Sequence, residues 1–493
     1  MASVTILGLG PGDPALLTRE AWDILLCATE VYLRTSRHST LSALPSTIRA
    51  HSFDRVYDQI DDFAQVYATI AAEVIALGRR VEGVIYAVPG DPRVGEASVA
   101  RIVELAAAEG LPVRIVSGLS FIEPALNALA LDGLDGLQIA DAIDVATQHH
   151  PMLDPDRPAL LAQLYSRRLA SDVKLTLMNQ YPPEHTVRLV HAAGTLDERV
   201  IALPLVEIDR RDDLAHLTTL YIPALLRAGS FTTFQETIAH LRAPDGCPWD
   251  REQTHPSLRS HLLEEAYEVL EAIDADDVDA LREELGDLLL QVVLQTQIAT
   301  DAEEFRMVEV IAGIQEKLIR RHPHVFGDVR VSGVDDVKRN WEAIKQAENG
   351  AAPKGKPARE SILDGLPRSL PALAQAEAYG ARAAQVGFDW PDVWGVLDKV
   401  AEEIREVVAA GDAESREAEF GDVLFALVNV ARWLKIDPES ALRSANARWA
   451  ARFRDVEQAA RARRRELRDM SIDELNQLWE AAKAKGVGNH PAA

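Results

Sequence analysis

Two groups of carboxylates in the second half of the chain have a spacing that could serve metal chemistry. The first group comprises Glu264, Glu265, Glu268, Glu284 and Asp287. In a helix, residues three or four apart share one face, so each part of this group predicts a short acidic ladder. The polar stretch 274–277 between the two parts is short enough to turn the chain back. An antiparallel hairpin would therefore bring five carboxylates toward one point.

Such crowding creates an electrostatic conflict. Like charges at helical spacing cost about a few tenths of a kcal/mol per exposed pair, and they cost more where they are partly buried. Apolar neighbours such as Leu263 and Leu288 predict partial burial. A divalent cation would remove the conflict, and oxygen ligands suit Mg²⁺ or Mn²⁺. The alternative is a solvated acidic face on an amphipathic helix, which is how most glutamate runs should be interpreted.

A second copy of the pattern favours the metal site. It comprises Glu402, Glu403, Glu406, Glu419 and Asp422, again a Glu-Glu-x-x-Glu ladder, a turn, and a Glu-x-Gly-Asp ladder followed by apolar residues. Chance repetition of the whole pattern is improbable, so the chain contains an internal repeat.

The acidic ladders require helices to position them. Periodicity predicts one helix pair over 258–273 and 278–299 and another over 393–410 and 414–434. Basic residues on the helices that follow could bind phosphate groups. The candidates are Lys317, Arg320 and Arg321 in the first repeat and Arg448, Arg452 and Arg454 in the second. Their alternative role is to complement the dipole of a last helical turn.

The first 220 residues or so have a different pattern, in which short apolar strands alternate with helices. Strands are predicted at 4–8, 30–33, 84–88, 113–116, 174–178 and 200–203. Glycine-rich loops follow three of them, at 8–14, 89–92 and 117–120. In open α/β sheets, ligands bind at the carboxyl ends of the strands. Ordinary strand-to-helix turns remain the alternative.

Composition limits the class of protein. A net charge of −25 over 493 residues argues against binding to nucleic acid or to anionic membrane surfaces. Two cysteines provide no disulfide framework and fit a reducing compartment. Neither a secretory signal nor a transmembrane segment is predicted. We therefore expect a cytoplasmic protein.

The three glycine loops resemble the signature loops of the tetrapyrrole (corrin/porphyrin) methylase family. The resemblance covers residues 1–222 and implies a two-lobed α/β domain that binds S-adenosylmethionine between its lobes. The cofactor-binding residues it implies are Gly10, Pro11, Gly90, Asp91 and Ser120. Glu30 stands where that family often has Asp.

The acidic helices resemble the MazG family. In the first repeat the resemblance is carried by Cys247-Pro248-Trp249-Asp250, by the two ladders and by Arg320 to Phe326. In the second repeat it is carried by Gly387-Phe388-Asp389-Trp390, by the two ladders and by Asn446 to Trp449. Members of this family are all-α proteins that are usually dimeric and depend on Mg²⁺. They cleave nucleoside triphosphates to the monophosphate and pyrophosphate. The resemblance implies that the ten acids form two metal sites and that Arg448, Arg452, Arg320 and Arg321 bind the substrate phosphates.

The expected architecture is therefore a multidomain chain, an α/β domain followed by two all-α helical bundle repeats. Its expected segments are a methylase-like domain at 1–222, a first repeat at 230–328, a linker at 329–365, a second repeat at 366–460 and a helical tail at 461–493. A homodimer through the helical repeats is expected as well.

We predict a nucleoside triphosphate pyrophosphohydrolase, with metal-assisted attack of water on a phosphorus atom of the triphosphate. Its catalytic residues are placed in the second repeat, at Glu403, Glu406 and Asp422, because the arginine helix is clearer there. Which glutamate takes the proton stays open. One alternative is a tetrapyrrole methyltransferase whose helical half dimerises it or senses nucleotides. Another is a nucleotide-binding regulator without catalysis.

Overall fold

The computed structural model describes residues 1–60, 62–350, 361–367 and 369–485. The chain divides into two compact units, Met1–Glu252 and Gln253–Ala493. The first unit is α/β and the second is helical. This division confirms the predicted fold class.

The first lobe of the α/β unit is a parallel sheet with helices on it. Its strands are β1 (Val4–Gly8), β2 (Glu30–Leu33), β3 (Arg49–Ser52), β4 (Val84–Val88) and β5 (Val113–Val116), and its helices are α1 (Arg19–Cys27), α2 (Asp54–Gln59), α3 (Phe63–Gly78), α4 (Ala97–Glu109) and α5 (Ile122–Leu129). The strand order is β3-β2-β4-β1-β5. Ile6 and Tyr86 on the central strands are fully buried. All four strands predicted for this lobe are present at the predicted residues.

The second lobe contains a mixed sheet in the order β6-β7-β10-β8-β9. Its strands are β6 (Gln138–Asp141), β7 (Ala159–Ala162), β8 (Thr186–His191), β9 (Arg199–Pro204) and β10 (Thr218–Ile222), and its helices are α6 (Ala142–Ala146) and α7 (Arg167–Leu177). The predicted strand at 200–203 is confirmed within β9. The strand predicted at 174–178 is wrong, because its residues lie mostly in α7. Leu169, Val173 and Leu177 are buried at helical spacing there, and Ser166 caps the helix.

Two further helices, α8 (Phe231–Arg242) and α9 (Pro248–Glu252), fall within the first unit. We expected the first helical repeat to begin at residue 230, whereas the division between the units comes after Glu252. Gly246 lies tightly against the end of α8, where an added Cβ would come 2.3 Å from the carbonyl oxygen of His240. This packing fixes the loop that contains Cys247 onto α8.

The helical unit is built from two antiparallel hairpins and the helices around them. Its helices are α10 (Arg259–Asp274), α11 (Val278–Asp301), α12 (Met307–Arg321), α13 (Pro323–Phe326), α14 (Val334–Gly350), α15 (Ala372–Gln385), α16 (Val393–Ala409), α17 (Ala413–Trp433), α18 (Pro438–Ala462) and α19 (Ile472–Ala484). One hairpin pairs α10 with α11, and the other pairs α16 with α17. Asp277 and Asp412 cap the second helix of each hairpin by accepting backbone N–H groups.

The segment predicted as a linker, 329–365, contains the 17-residue helix α14. Trp341 in this helix packs against the side chains of Arg321 and His322. The breaker-rich part of the predicted linker, 351–360, lies outside the described residues. Within the residues that the structure describes, no helix is long and apolar enough to cross a membrane.

Candidate active site

The first hairpin brings three of its five predicted metal ligands together. Glu265 and Glu268 on α10 and Glu284 on α11 can each place a carboxylate oxygen within 4.8 Å of the other two. Partial burial, with the charges of Asp287 and Glu268, raises the pKa of Glu265. Partial burial and Glu268 also raise the pKa of Glu284. Glu264 lies outside this triad but adds to the negative charge that acts on Glu265.

The second hairpin forms an equivalent triad. Glu403 and Glu406 on α16 and Glu419 on α17 offer oxygens within 4.8 Å of one another. Glu403 is only 6% exposed, so its charge is held away from bulk water. Glu402 and Asp422 are both exposed and are not part of the triad. The two hairpins therefore place corresponding residues of the repeat in corresponding positions.

A lysine distinguishes the second triad from the first. The Lys399 ammonium lies 2.9 Å from Glu402 Oε1 and 2.8 Å from Glu403 Oε1. This contact lowers the pKa of Glu403 and raises the pKa of Lys399 above its usual range. The hydrogen bond with Glu403, together with partial burial, raises the pKa of Glu406. In the first hairpin His261 takes the corresponding place, with Nδ1 at 3.7 Å from Glu264 Oε2.

Both triads fit a divalent cation by the chemistry of their donors. All the groups are carboxylate oxygens, which suit Mg²⁺ and Mn²⁺ better than softer metals. Partial burial and, after it, repulsion from neighbouring carboxylates raise the pKa of Glu265 and Glu284. A doubly charged ion would relieve that repulsion.

The predicted phosphate-binding arginines lie in two different environments. Arg320 and Arg321 both contact Glu348 on α14, at 2.7 Å and 2.5 Å. Hydrogen bonds from Arg321 and Arg320, together with their charges, lower the pKa of Glu348 to about 2. Arg448 and Arg452 lie one turn apart on α18, the first exposed and the second half-buried. The structure thus pairs the arginines of the first repeat with an acid of the same unit.

The aromatic residues of α18 and α19 form a cluster next to these arginines in sequence. The Trp449 ring stacks on Phe453, with centroids 5.0 Å apart and planes 8° from parallel. The Trp479 ring on α19 lies 5.9 Å from the Trp449 ring. This stacking holds α19 against α18.

The three glycine loops of the first lobe converge at the carboxyl ends of β1, β4 and β5. Gly10 and Gly90 exchange backbone hydrogen bonds of 2.8 and 3.2 Å. Asp91 Oδ2 accepts a hydrogen bond from the Gly118 N–H at 3.1 Å, and an added Cβ at Gly90 would lie 4.0 Å from Cα of Ser120. Ser120 is buried and donates its hydroxyl to Glu123. Four of the five predicted cofactor residues therefore meet, and half-buried Pro11 follows Gly10 directly.

Close approach explains why these loops contain glycine. A Cβ on Gly118 would lie 2.3 Å from the carbonyl oxygen of Gly90, and a Cβ on Gly8 would lie 2.6 Å from the same atom. Gly10 and Gly90 also adopt φ angles of +71° and +68°, which favour glycine. The loops therefore present backbone atoms without side chains at the edge of the sheet.

Sequence reasoning missed several polar residues at this edge. His38 Nε2 lies 3.1 Å from the Gly10 carbonyl oxygen, and burial lowers the pKa of this histidine. Arg34, the residue after β2, donates to Glu96 at 2.6 Å. Burial raises the pKa of Glu96 to about 7. The sequence signal that could have identified Arg34 was a charged residue directly after a strand. Glu96 lies in a loop, and no sequence signal indicated its contact with Arg34.

In the helical unit the missed residue is Lys399. It precedes Glu403 by four positions, a spacing that places the two side chains on one helical face. The same rule that predicted the acidic ladders could therefore have found it.

Two protein families match the chain. Tetrapyrrole (Corrin/Porphyrin) Methylases match residues 3–209, and the MazG nucleotide pyrophosphohydrolase domain matches residues 253–326, which include the first acidic hairpin.

Similar proteins cover both halves. The chain is 42% identical over 489 residues to the uncharacterized protein YabN of Bacillus subtilis, covering 97% of this chain and 98% of that protein. It is 45% identical over 253 residues to the nucleoside triphosphate pyrophosphohydrolase/pyrophosphatase MazG of Thermotoga maritima, covering 51% of this chain and 95% of that protein. It is 44% identical over 253 residues to the nucleoside triphosphate pyrophosphohydrolase of Escherichia coli K12, covering 50% of this chain and 94% of that enzyme. The chain therefore belongs to the MazG nucleotide pyrophosphohydrolase family, with a tetrapyrrole methylase domain preceding its MazG region.

Proposed function

We propose that the protein is a Mg²⁺- or Mn²⁺-dependent nucleoside triphosphate pyrophosphohydrolase, which converts a nucleoside triphosphate and water to the monophosphate and pyrophosphate. The observation that carries this proposal is the second hairpin, where Glu403, Glu406 and Glu419 lie within 4.8 Å of one another on facing helices. The identity to proteins named for this activity supports it.

The proposed ligands of the ion in the second repeat are Glu402, Glu403, Glu406, Glu419 and Asp422, and those in the first repeat are Glu264, Glu265, Glu268, Glu284 and Asp287. When bound, a divalent ion acidifies water and offsets charge on phosphoryl oxygens. Arg448 and Arg452 hold the phosphate chain, and an outer glutamate accepts the proton of the attacking water. The water oxygen bonds to phosphorus while the bridging P–O bond breaks, and pyrophosphate leaves with that electron pair.

The catalytic role is assigned to Glu403, Glu406 and Asp422 in the second repeat. This choice is supported by the surroundings of the two arginines in the first repeat. Arg320 and Arg321 are engaged by Glu348, so a phosphate would have to displace that carboxylate. Phosphate binding by Arg320 and Arg321 remains a prediction.

The first unit is proposed to bind S-adenosylmethionine at Gly10, Pro11, Gly90, Asp91 and Ser120. The bare backbone of these loops supports this proposal, because a ligand can approach glycine closely. Calorimetric titration of S-adenosylmethionine into the wild type and into Gly90→Val tests it. Equal binding by both proteins would exclude this site.

Self-association through the helical repeats is proposed from an exposed apolar face on α12. Val308, Ile311, Ile314 and Leu318 are each more than a third exposed, at helical spacing. A face of this kind is typical of a protein interface. Light scattering of the wild type and of Ile311→Lys tests it, and a monomeric wild type would contradict it.

The decisive experiment measures pyrophosphate release from a panel of nucleoside triphosphates, with and without Mg²⁺. We expect release that requires the ion and disappears with a chelator. Tight nucleotide binding without turnover would favour a regulator. Methyl transfer from labelled S-adenosylmethionine to a tetrapyrrole, without pyrophosphate release, would favour a methyltransferase.

A further inference from the structure

A cavity of about 580 Å³ lies in the second repeat and shares helix α17 with the second acidic hairpin. Its walls come from α15, from the loop that follows α15 and from α17, together with residues 361–363. Small-molecule sites occupy about 300–1,000 Å³. The cavity is therefore large enough for a ligand of the size of a nucleoside.

The lining of the cavity combines aliphatic side chains with four aromatic rings and one buried amide. Tyr379, Phe388, Trp390 and Phe425 contribute rings, and Asn429 is only 1% exposed. Asn429 Nδ2 donates to the Phe425 carbonyl at 3.1 Å, and Oδ1 accepts from Arg432 Nε at 3.1 Å. A side-chain amide has two N–H donors and two acceptor lone pairs, so one of each is not used by these two bonds.

Glycine on the facing helix makes room for that amide. A Cβ at Gly380 on α15 would come 2.5 Å from Asn429 Oδ1. Any larger residue would push the amide away from α15. The close approach of α15 and α17 at this point therefore places the amide in the cavity wall.

The positive charge in the wall is already neutralised. Arg432 donates to both oxygens of Asp389, at 2.9 and 2.5 Å, and Trp433 Nε1 donates to Asp389 at 3.2 Å. These contacts lower the pKa of Asp389. They also fix the loop that contains Phe388 and Trp390. A cavity with aromatic walls, a compensated ion pair and an amide is suited to an uncharged aromatic ring with polar edges.

The position of the cavity along α17 relates it to the proposed metal site. Asp422 precedes Asn429 by seven residues, which is two helical turns, about 11 Å, on the same helical face. Phe425 lies between them. A ribose and its first phosphate can bridge such a distance.

We propose that this cavity binds the base of the nucleoside triphosphate whose phosphates occupy the second acidic hairpin. The aromatic rings stack on the base, and the Asn429 amide bonds its edge. This inference rests on the proposed function, since it takes the substrate class from it. Beyond the proposed function, the inference states that residues of α15 and α17 provide the affinity for the base.

The test compares substrates with and without a base. Pyrophosphate release is measured for the four common ribonucleoside triphosphates and for ribose 5-triphosphate, with the wild type, Phe425→Leu and Asn429→Leu. Phe420→Leu is the matched control, the same change at an exposed position of α17 outside the cavity lining. We expect each cavity variant to lose about tenfold in kcat/KM for the nucleotides, because Phe425→Leu removes a stacking ring and Asn429→Leu removes a hydrogen bond to the base. The value for ribose 5-triphosphate should stay unchanged.

A calorimetric titration of the four nucleosides into the full chain separates this inference from the proposed function. If both cavity variants weaken nucleoside binding and no triphosphate is hydrolysed, the proposed function is overturned and the base-binding role of the cavity is supported. Hydrolysis with equal losses for substrates with and without a base would overturn the cavity alone. A change of oligomeric state in both cavity variants, with unchanged nucleoside binding, would assign the cavity to a second copy of the chain and also overturn it. Melting curves confirm that each variant is folded.

Discussion

The two acidic hairpins of the helical unit have the same arrangement of carboxylates in different surroundings. Each places a Glu-x-x-Glu pair opposite a glutamate of the next helix, within 4.8 Å. The first hairpin is followed by arginines paired with Glu348. The second contains Lys399 and shares α17 with an aromatic cavity.

The two hairpins show that the repeated pattern brings carboxylates together without specifying the groups around them. Carboxylates on facing helices can hold a cation in either hairpin. Hydrolysis also requires groups that bind phosphates and position the nucleoside. In the proposed function those groups belong to the second repeat, and substitutions in the two hairpins test whether their surroundings decide the chemistry.

The largest effect is expected for Glu403→Ala. A metal ion contributes several kcal/mol of transition-state stabilisation, so loss of a ligand should lower kcat by about 1,000-fold. Asp422→Ala should act in the same direction. Steady-state pyrophosphate release measures both, with Glu417→Ala on α17 as the control. Retained turnover in Glu403→Ala and Asp422→Ala, with loss only in Glu265→Ala, would move catalysis to the first hairpin.

A smaller effect is expected for Arg448→Ala. A hydrogen bond to a charged group contributes about 1.5–3 kcal/mol, which corresponds to a loss of about 10- to 100-fold in kcat/KM. Arg461→Ala, near the end of α18, removes the same charge away from the proposed site. An equal loss in both variants would mean that only the net charge of the helix matters.

The sequence was sufficient for four of the five strands of the first lobe and for the acidic ladders, because both follow from local periodicity. These strands and the acidic hairpins depend on residues close together in the chain, whereas the strand at Arg49–Ser52 was not predicted. Helix α7 was misread because Lys174 to Met178 alternates like a strand, while the burial of Leu169 and Val173 in the same helix depends on the second sheet. Helix α14 was not predicted because the Pro- and Gly-rich residues that follow it led us to extend the predicted linker over the helix.

The surroundings of the two triads could not be predicted in this way. The pairing of Arg320 with Glu348 joins residues 28 positions apart, and the contact of Arg432 with Asp389 joins residues 43 positions apart. Such contacts depend on how helices pack, which no spacing rule encodes. Spacing in the sequence thus indicated which charged residues share a helical face. It did not indicate which of them form ion pairs with residues of other elements.

Lys399→Met tests how the lysine affects ion binding in the second hairpin. Its ammonium contacts Glu402 and Glu403, and a divalent ion has to compete with it for these oxygens. Exposed ion pairs contribute about 0.2–1 kcal/mol each, so the variant should bind Mn²⁺ severalfold more tightly without nucleotide. Calorimetry measures this, with Arg405→Met on the same helix as the control for charge. Unchanged or weaker Mn²⁺ binding would show that the lysine does not compete.

The smallest effect is expected for Arg321→Ala in the first repeat. Arg321 is the main cause of the low pKa of Glu348, about 2 against 4.5 for the ordinary side chain. A lowered carboxyl pKa stabilises the fold above pH 4.5, and that contribution is lost as the pH falls toward 2. The variant should therefore lose part of the pH dependence of its melting temperature in that window. At neutral pH the melting temperature should fall by less than about 3 °C, since Arg320 still pairs with Glu348 in the variant. KM should not change, because the proposed reaction takes place in the second hairpin. A raised KM with an unchanged melting curve would mean that substrate displaces Glu348, and the two hairpins would then differ less than their contacts indicate.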